Sequence, residues 1–361
     1  MSVTRFSALQ RPAVLVVIGL LVLAVCALIA LSAGVNPTGS VGSPDAGDRA
    51  AYDRIIEHMR AGQDYYAAAR VELIRGHYGM QSVFNWRTPL LASFVALSPS
   101  TVWPQAVLLL IAIVTGGLAC KLIFDELGAI AAGTLVIVEI VTLGICLVPD
   151  TIAFAEVPAG VLIMLSAVAY GGGHPRLGQG AGILALFLRE LAGPYVLICL
   201  FLAWRERRYG ECRVWIAALV AYAGYFAWHY FMVKAHQQPG DLADPNGWIQ
   251  FGGLRFLLNT ATFNGLFFTW PSWASAVFAP FAVLGVLAWP GRAGARIGAT
   301  VMVYLTLFSI VGQHFDNYWG AIYAPLMSVG IIWAPAALRD LWRVVCGARE
   351  VPATSLQPEG S

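Results

Sequence analysis

Long apolar runs alternate with short polar breaks along most of the chain. Ten runs stand out, at 12–35, 102–122, 127–148, 153–171, 178–189, 192–204, 213–233, 271–289, 297–313 and 319–337. A helix needs roughly 20 apolar residues to cross roughly 30 Å of hydrocarbon, and most runs approach that length. The pattern predicts an all-α integral membrane protein with about ten transmembrane helices. The first run is too long for the apolar core of a signal peptide, and more spans follow it, so it is read as a membrane helix. Two runs, 178–189 and 192–204, are short and flank Arg189-Glu190. They form either one over-long helix or two half-length helices meeting at a polar bend.

The placement of Arg and Lys chooses between these readings, because cytoplasmic loops carry the excess of positive charge. Arg5 and Arg11 precede the first run. Lys121, Arg176, the stretch Arg205 to Arg213, Arg292, Arg296, Arg339, Arg343 and Arg349 follow the same logic. Arg176 and Arg205 share a side only if the chain crosses and returns between them. The short runs are therefore two elements, with Gly193-Pro194 supplying the break. Irregular backbone at membrane depth is tolerated where it lines a cavity or is buried in protein, so the bend at Arg189 marks an internal cavity open to the outer side. Both termini are expected in the cytoplasm, with 36–100, 234–270 and 313–318 outside. Residues 1–340 form the membrane domain, and 341–361 a partly disordered cytoplasmic tail.

The stretch 36–100 is the one long polar loop. Within it Tyr52, Ile55, Ile56 and Met59 fall at i, i+3, i+4 and i+7, which predicts amphipathic surface helices over Ala50 to Arg75, punctuated at Gly62 and at Gly76 to Gly79. No repeat of 20–50 residues is visible.

Composition narrows the class further. Of 361 residues, 58% are hydrophobic and 12% charged, a balance that belongs in a bilayer. The net charge of +2 comes with no Lys/Arg cluster interleaved with aromatics, so no nucleic-acid partner is expected. The six cysteines sit in or beside apolar runs without Cys-x-x-Cys spacing and read as small apolar packers. The six histidines show no zinc-binding pair on one helix face. Divalent-metal dependence stays open.

The chemistry is concentrated at the outer ends. Asp48 follows the first run and either caps the surface helix or serves as a general base toward an acceptor hydroxyl. Arg87 either snorkels at the interface or pairs with a phosphate through its planar fork. Arg189 is the second cation candidate. Its other reading is an ion pair with Glu190 or Glu156, and the two roles can coexist. Lys234 and Arg255 are weaker candidates. Glu156 lies near the same outer end as Arg189. Glu139, in the middle of the third run, is either functional or a structural acid in the core. His314 either touches a lipid phosphate or is solvated. The aromatics Tyr52, Tyr65, Trp86, Tyr318 and Trp319 belong to an interfacial belt, and Tyr65, Trp86 and Trp319 also suit stacking on a sugar ring.

The order of these residues resembles the GT-C superfamily of membrane glycosyltransferases, including the protein mannosyltransferases and the aminoarabinose transferases of lipid A. The matching motifs are Asp48 four residues before Tyr52, the stretch Gly62-Gln-Asp-Tyr-Tyr66, and Asn85-Trp86-Arg87-Thr88-Pro89-Leu90 opening the second membrane helix. Asp150 follows at the outer start of the fourth helix, then Leu188-Arg-Glu-Leu-Ala-Gly-Pro194, then His314 to Pro325 before the last helix. The resemblance spans Pro12 to about Pro335. It implies transfer of a sugar from a polyprenyl-phosphate carrier to an acceptor hydroxyl on the outer face. Asp48 would be the base, Asp150 a second catalytic acid, and Arg87 and Arg189 the clamp on the leaving phosphate. The chain departs from the pattern in carrying Asp48-Arg49 where an acid pair is usual, which keeps Asp45 and Asp53 as alternative bases. No large outer domain is expected after the helices, which favours a glycan or lipid acceptor over a protein. No Gly-rich phosphate loop or Asp-x-Asp motif lies in a cytoplasmic stretch, so no nucleotide-sugar site is expected.

Two other classes compete. A secondary transporter or lipid-linked-sugar flippase predicts internal repeats and broken helices in both halves, whereas the sequence breaks in one. A membrane scaffold leaves the acids and arginines of the outer loop without a task.

Overall fold

The computed structural model describes residues 3–33, 47–148, 151–243, 247, 249–263, 271–313 and 316–347. Helices dominate. The only extended pairing among the described residues is an isolated antiparallel bridge, Ile249 to Val311. The α-helices run α1 Arg11–Ser32, α2 Asp48–Arg60, α3 Tyr65–Arg75, α4 Leu90–Leu97, α5 Val102–Leu127, α6 Ala129–Thr142 and α7 Glu156–Gly171. They continue as α8 Pro175–Leu188, α9 Gly193–Arg205, α10 Tyr209–His236, α11 Gly253–Ala261, α12 Ser272–Ala288, α13 Gly291–Ile310 and α14 Ala324–Val345.

The all-α expectation holds. Of the expected ten or so transmembrane helices, one pair of them short, five have full span length among the described residues. Five described helices are long and apolar enough to cross a membrane: Arg11–Ser32, Val102–Leu127, Ala129–Leu147 (which includes a 3-10 extension of α6), Tyr209–His236 and Gly291–Ile310. The others fall short for separate reasons. α7 and α12 are apolar but shorter, at 16 and 17 residues. α8 and α9 have 14 and 13 residues, each about 20 Å at 1.5 Å per residue. α14 reaches 22 residues but carries Arg339, Asp340 and Arg343 in its second half.

The second membrane-length helix also starts later than its sequence suggests. Pro89-Leu90 opens only the eight-residue α4, which ends at Leu97, and the long helix begins at Val102. The expected pair of short helices is present. Arg189 is extended, Glu190–Ala192 forms a 3-10 turn, and Gly193-Pro194 opens α9. The break thus falls at Arg189 itself. Pro194 sits in the first turn, where its missing N–H costs nothing.

The core is shared by α5, α7, α9, α13 and α14, with Ile163, Tyr195, Tyr304, Leu326 and Trp333 fully enclosed. α12 and α14 cross closely, because Gly285 lies against the Gly330 carbonyl where a side chain would collide. Outside the core the surface is apolar: Leu20 and Leu23 of α1, Ile113 of α5, Ile137 of α6 and Phe231 of α10 are all exposed. Such a continuous apolar exterior is foreign to soluble monomers.

Glu139 is buried in α6 and within hydrogen-bond distance, 3.0 Å, of Ser328 Oγ in α14. The Ser328 hydroxyl also donates to the Pro325 carbonyl at 2.5 Å. The one Ser328 proton is shared between these two acceptors, which gives Glu139 a structural partner in α14.

Candidate active site

The expected surface helices are α2 and α3, separated by the turn at Gly62. Three contacts fix their position. Tyr66 Oη lies 2.9 Å from His229 Nδ1 of α10. Arg70 grips Asp241 with both Nη atoms, at 2.8 and 2.9 Å. Glu72, fully buried on α3, accepts from Arg54 Nε at 2.5 Å and meets His58 Nε2 at 3.1 Å, both on α2. A buried carboxylate needs such partners, and here they clamp the two helices together.

Asp48 is the first residue of α2, one position past the N-cap Gly47. Its carboxylate accepts from Tyr78 Oη at 2.6 Å and from Tyr318 Oη at 2.8 Å. Tyr318 comes from the 3-10 helix Asn317–Ile322 that precedes α14. That turn is pressed between α7 and α11, where Gly160 faces the Ala321 carbonyl and Gly320 faces the Thr260 carbonyl. A Cβ at either glycine would overlap backbone oxygen, with contacts of 1.9 and 1.8 Å, so both positions need hydrogen there.

Arg87 stands opposite. Its backbone has φ +50° and ψ +157°, a region almost reserved for glycine that costs about 1–3 kcal/mol. The local structure enforces it: Trp86 Nε1 donates to the Met80 carbonyl at 2.9 Å, and Tyr65 Oη reaches the carbonyls of Trp86 and Arg87. The guanidinium donates through Nε to Tyr52 Oη at 2.9 Å and through Nη2 to Tyr318 Oη at 3.0 Å. Burial and the nearby acids raise the Tyr52 hydroxyl above the ordinary phenol range, so it stays protonated.

Arg189 is almost wholly buried. Its Nε donates to Glu156 Oε1 at 2.7 Å, and Nη1 contacts Glu190. Arg87 lies farther from the same two carboxylates, at 3.8 and 3.9 Å. The two expected clamp residues thus differ: Arg189 is committed to the glutamates, whereas the close partners of Arg87 are neutral phenols. An incoming anion can displace a phenol from a guanidinium far more readily than a carboxylate.

A cavity of about 270 Å³ opens at this place, walled by Asp48, Tyr52, Tyr78, Trp86, Arg87 and Tyr318, with Glu72, His77 and Asp316. A narrower crevice of about 40 Å³ lies on the other side of Tyr52 and Arg87. Its wall is mostly apolar, with Ile55, Ile56, Leu91 and Ala153, and Glu156 at one edge. Arg87 and Tyr52 border both spaces.

No family model, curated protein or solved structure matches this chain.

The fold therefore gathers Asp48, Tyr52, Trp86, Arg87 and Tyr318 around one cavity, with Glu156 and Arg189 directly behind Arg87. Tyr65 supports the Arg87 backbone rather than facing the larger cavity. Trp319 packs on Phe308, ring centres 5.5 Å apart, away from it. Asp53 lies toward Arg49 at 3.7 Å and does not line the cavity, which leaves Asp48 as the described carboxylate at the expected position. Lys234 contacts Gln237, and Arg255 is exposed on α11; neither reaches the cavity. Asp45, Asp150 and His314 lie outside the described residues. Among the described residues no three His, Cys, Asp or Glu side chains group as metal ligands. Three cavity groups escaped the sequence reading: Glu72, Asp316 and the role of Tyr78. Asp316 is buried, its Oδ2 accepting from the Gln313 N–H at 2.8 Å.

Proposed function

We propose that this chain is a multi-pass membrane glycosyltransferase of the GT-C kind that moves a sugar from a polyprenyl phosphate to an acceptor hydroxyl. The carrying observation is Arg87: a guanidinium between a polar cavity and an apolar crevice, hydrogen-bonded to neutral phenols and one tyrosine away from the Asp48 carboxylate. A lipid phosphate fits that boundary, with its chain in the crevice and its sugar in the cavity. The volume of about 270 Å³ is just below the usual range for small-molecule sites, which suits one small headgroup. In the reaction Asp48 takes the acceptor hydroxyl proton and the acceptor oxygen attacks the anomeric carbon. The bond from that carbon to the phosphate oxygen breaks with inversion, and Arg87 holds the polyprenyl phosphate that leaves. In this reading both termini are cytoplasmic and the cavity opens to the outer face. The broken pair α8 and α9 also suits a transporter or flippase of the same lipid, but transport gives the Asp48 carboxylate no task.

The test is transfer by purified protein from a panel of polyprenyl-phosphate sugars, read by mass spectrometry. Asp48→Asn should keep donor binding and lower turnover by roughly 100-fold or more, the scale of general-base loss. Arg87→Ala should lose donor binding, and Arg87→Lys should restore part of it. Wild-type turnover in Asp48→Asn would remove the mechanism. Donor moved between vesicle leaflets without being cleaved would select the flippase.

A further inference from the structure

Tyr318 has one hydroxyl proton and three neighbours that compete for its oxygen. Arg87 Nη2 donates to it from 3.0 Å, Asp48 Oδ2 lies at 2.8 Å and Asp316 Oδ1 at 3.2 Å. A phenol donates once. It serves Asp48 or Asp316 but not both, unless a second proton sits on one of the carboxyls. The remaining oxygens of the two acids are already satisfied, by Tyr78 Oη on Asp48 and by the Gln313 N–H on Asp316. The two carboxyls are thus joined end to end through one hydroxyl at the wall of the cavity, and Asp316 is the more deeply buried of the two.

We propose that Asp316 is a positioning residue that receives, through Tyr318, the proton Asp48 takes from substrate. This rests on the glycosyltransferase reading. The acceptor O–H bond breaks and a bond from Asp48 oxygen to that proton forms. Asp48 then passes the proton to Tyr318 Oη while Tyr318 gives its own proton to Asp316 Oδ1. The net change is one proton moved from the acceptor to Asp316, and Asp48 returns to its carboxylate form. The hydrogen bond from Arg87 steadies the phenol oxygen during the exchange. Burial pushes Asp316 up to about 6, and the neighbouring Asp48 charge adds to the rise, whereas Arg87 and the Gln313 N–H pull it down. Asp316 therefore holds a proton more readily than an ordinary Asp, as the far end of a relay must. The charged and titratable groups facing it are Asp48 from α2, Arg87 before α4 and Tyr318 on its own 3-10 helix. Tyr52, Glu72, His77 and Tyr78 share the cavity wall.

The test begins without any sugar donor. Infrared difference spectra of the purified full chain, taken across a pH titration, should show a carboxylic-acid band that titrates near pH 6. Asp316→Asn should abolish that band. Asp48→Asn removes the neighbouring negative charge and should move the titration to lower pH. A band that persists in Asp316→Asn, or that stays in place in Asp48→Asn, overturns the shared proton. On the donor that the transfer assay identifies, Asp316→Asn should lower kcat roughly tenfold, a fraction of a full acid–base contribution. KM should not change, and the acid limb of the pH–rate profile should move away from pH 6. An unchanged acid limb overturns the relay. A chain that cleaves no donor yet shows the titrating band refutes the glycosyltransferase reading while leaving the shared proton in place, so the two failures are distinct.

Discussion

At the scale of single residues, the site stores unfavourable chemistry that folding must overcome. Asp316 carries this most clearly, because burial pushes its carboxyl up to about 6, above the ordinary value of 3.8. The folded protein then binds more protons than the unfolded chain between those two values, so stability falls as pH rises through that window. The contribution is fully present below about pH 4 and gone above about pH 6. Asp316→Asn should remove this pH-dependent loss, about 3 kcal/mol for two pH units, and leave a flatter profile across the window. Thermal unfolding in detergent against pH measures it, and a wild type whose midpoint rises across the window would contradict the burial argument. Asp48, Tyr52 and Arg87 were singled out by the order of motifs that carries the GT-C resemblance, and the fold brings the three to one cavity. The partner of Asp48 was not legible: Tyr318 stands 270 residues away, and nothing in a run of aromatics says which one turns inward. Asp316 was hidden for a related reason, since an acid in a loop reads as solvated until packing removes the water.

At the scale of elements, the position of the cavity groups depends on backbones that touch. The 3-10 helix Asn317–Ile322 carries Tyr318 and is held by Gly160 of α7 and by its own Gly320 against α11. Each contact is with backbone oxygen, which cannot turn aside as a side chain can. Gly320→Ala should push the turn away from α11, withdraw Tyr318 from Asp48 and cost about 1–3 kcal/mol by overpacking. A crystal or cryo-electron microscopy structure of the variant checks the displacement, with Tyr318 still within 2.8 Å of Asp48 as the outcome that sinks the argument. Sequence patterns found α2 and α3 because their apolar positions recur at helical spacing, and found the break between α8 and α9 because charge forces a return. They missed α4 and α11. Both are short, and eight or nine residues carry too few turns for a helical period to stand out. The short length of α4 is why the second membrane-length helix begins at Val102 rather than at Pro89.

At the scale of the whole molecule, one group of cations gathers away from the cavity. Arg5 reaches the Gly291 carbonyl at 3.0 Å, Thr4 N–H bonds Asp340 at 2.8 Å, and Arg292 meets Glu206 at 3.3 Å. The N-terminal segment, the turn after α9, the start of α13 and the second half of α14 therefore share one end. α7 starts at Glu156, beside Arg87 and Arg189, and α8 returns to the same place, so the cavity occupies the opposite end of these helices. Apolar runs that look alike in sequence differ in helix length once folded: α7 and α12 stop at 16 and 17 residues, and α8 and α9, the expected short pair, at 14 and 13. The cation end is what the positive-inside rule assigns to the cytoplasm. Cysteine labelling decides it, in a background with the exposed Cys26 and Cys346 replaced. Gln63→Cys, exposed in the turn between α2 and α3, should react with a membrane-impermeant maleimide on intact cells. Arg205→Cys, exposed at the end of α9, should react only after the membrane is opened. The reverse pattern would put Asp48 and Arg87 on the cytoplasmic face, where a lipid-linked donor would have to be used before it is flipped. Both sites reacting from one side would mean that the cavity and the cation cluster are not separated by a bilayer, and the membrane glycosyltransferase reading would fall with it.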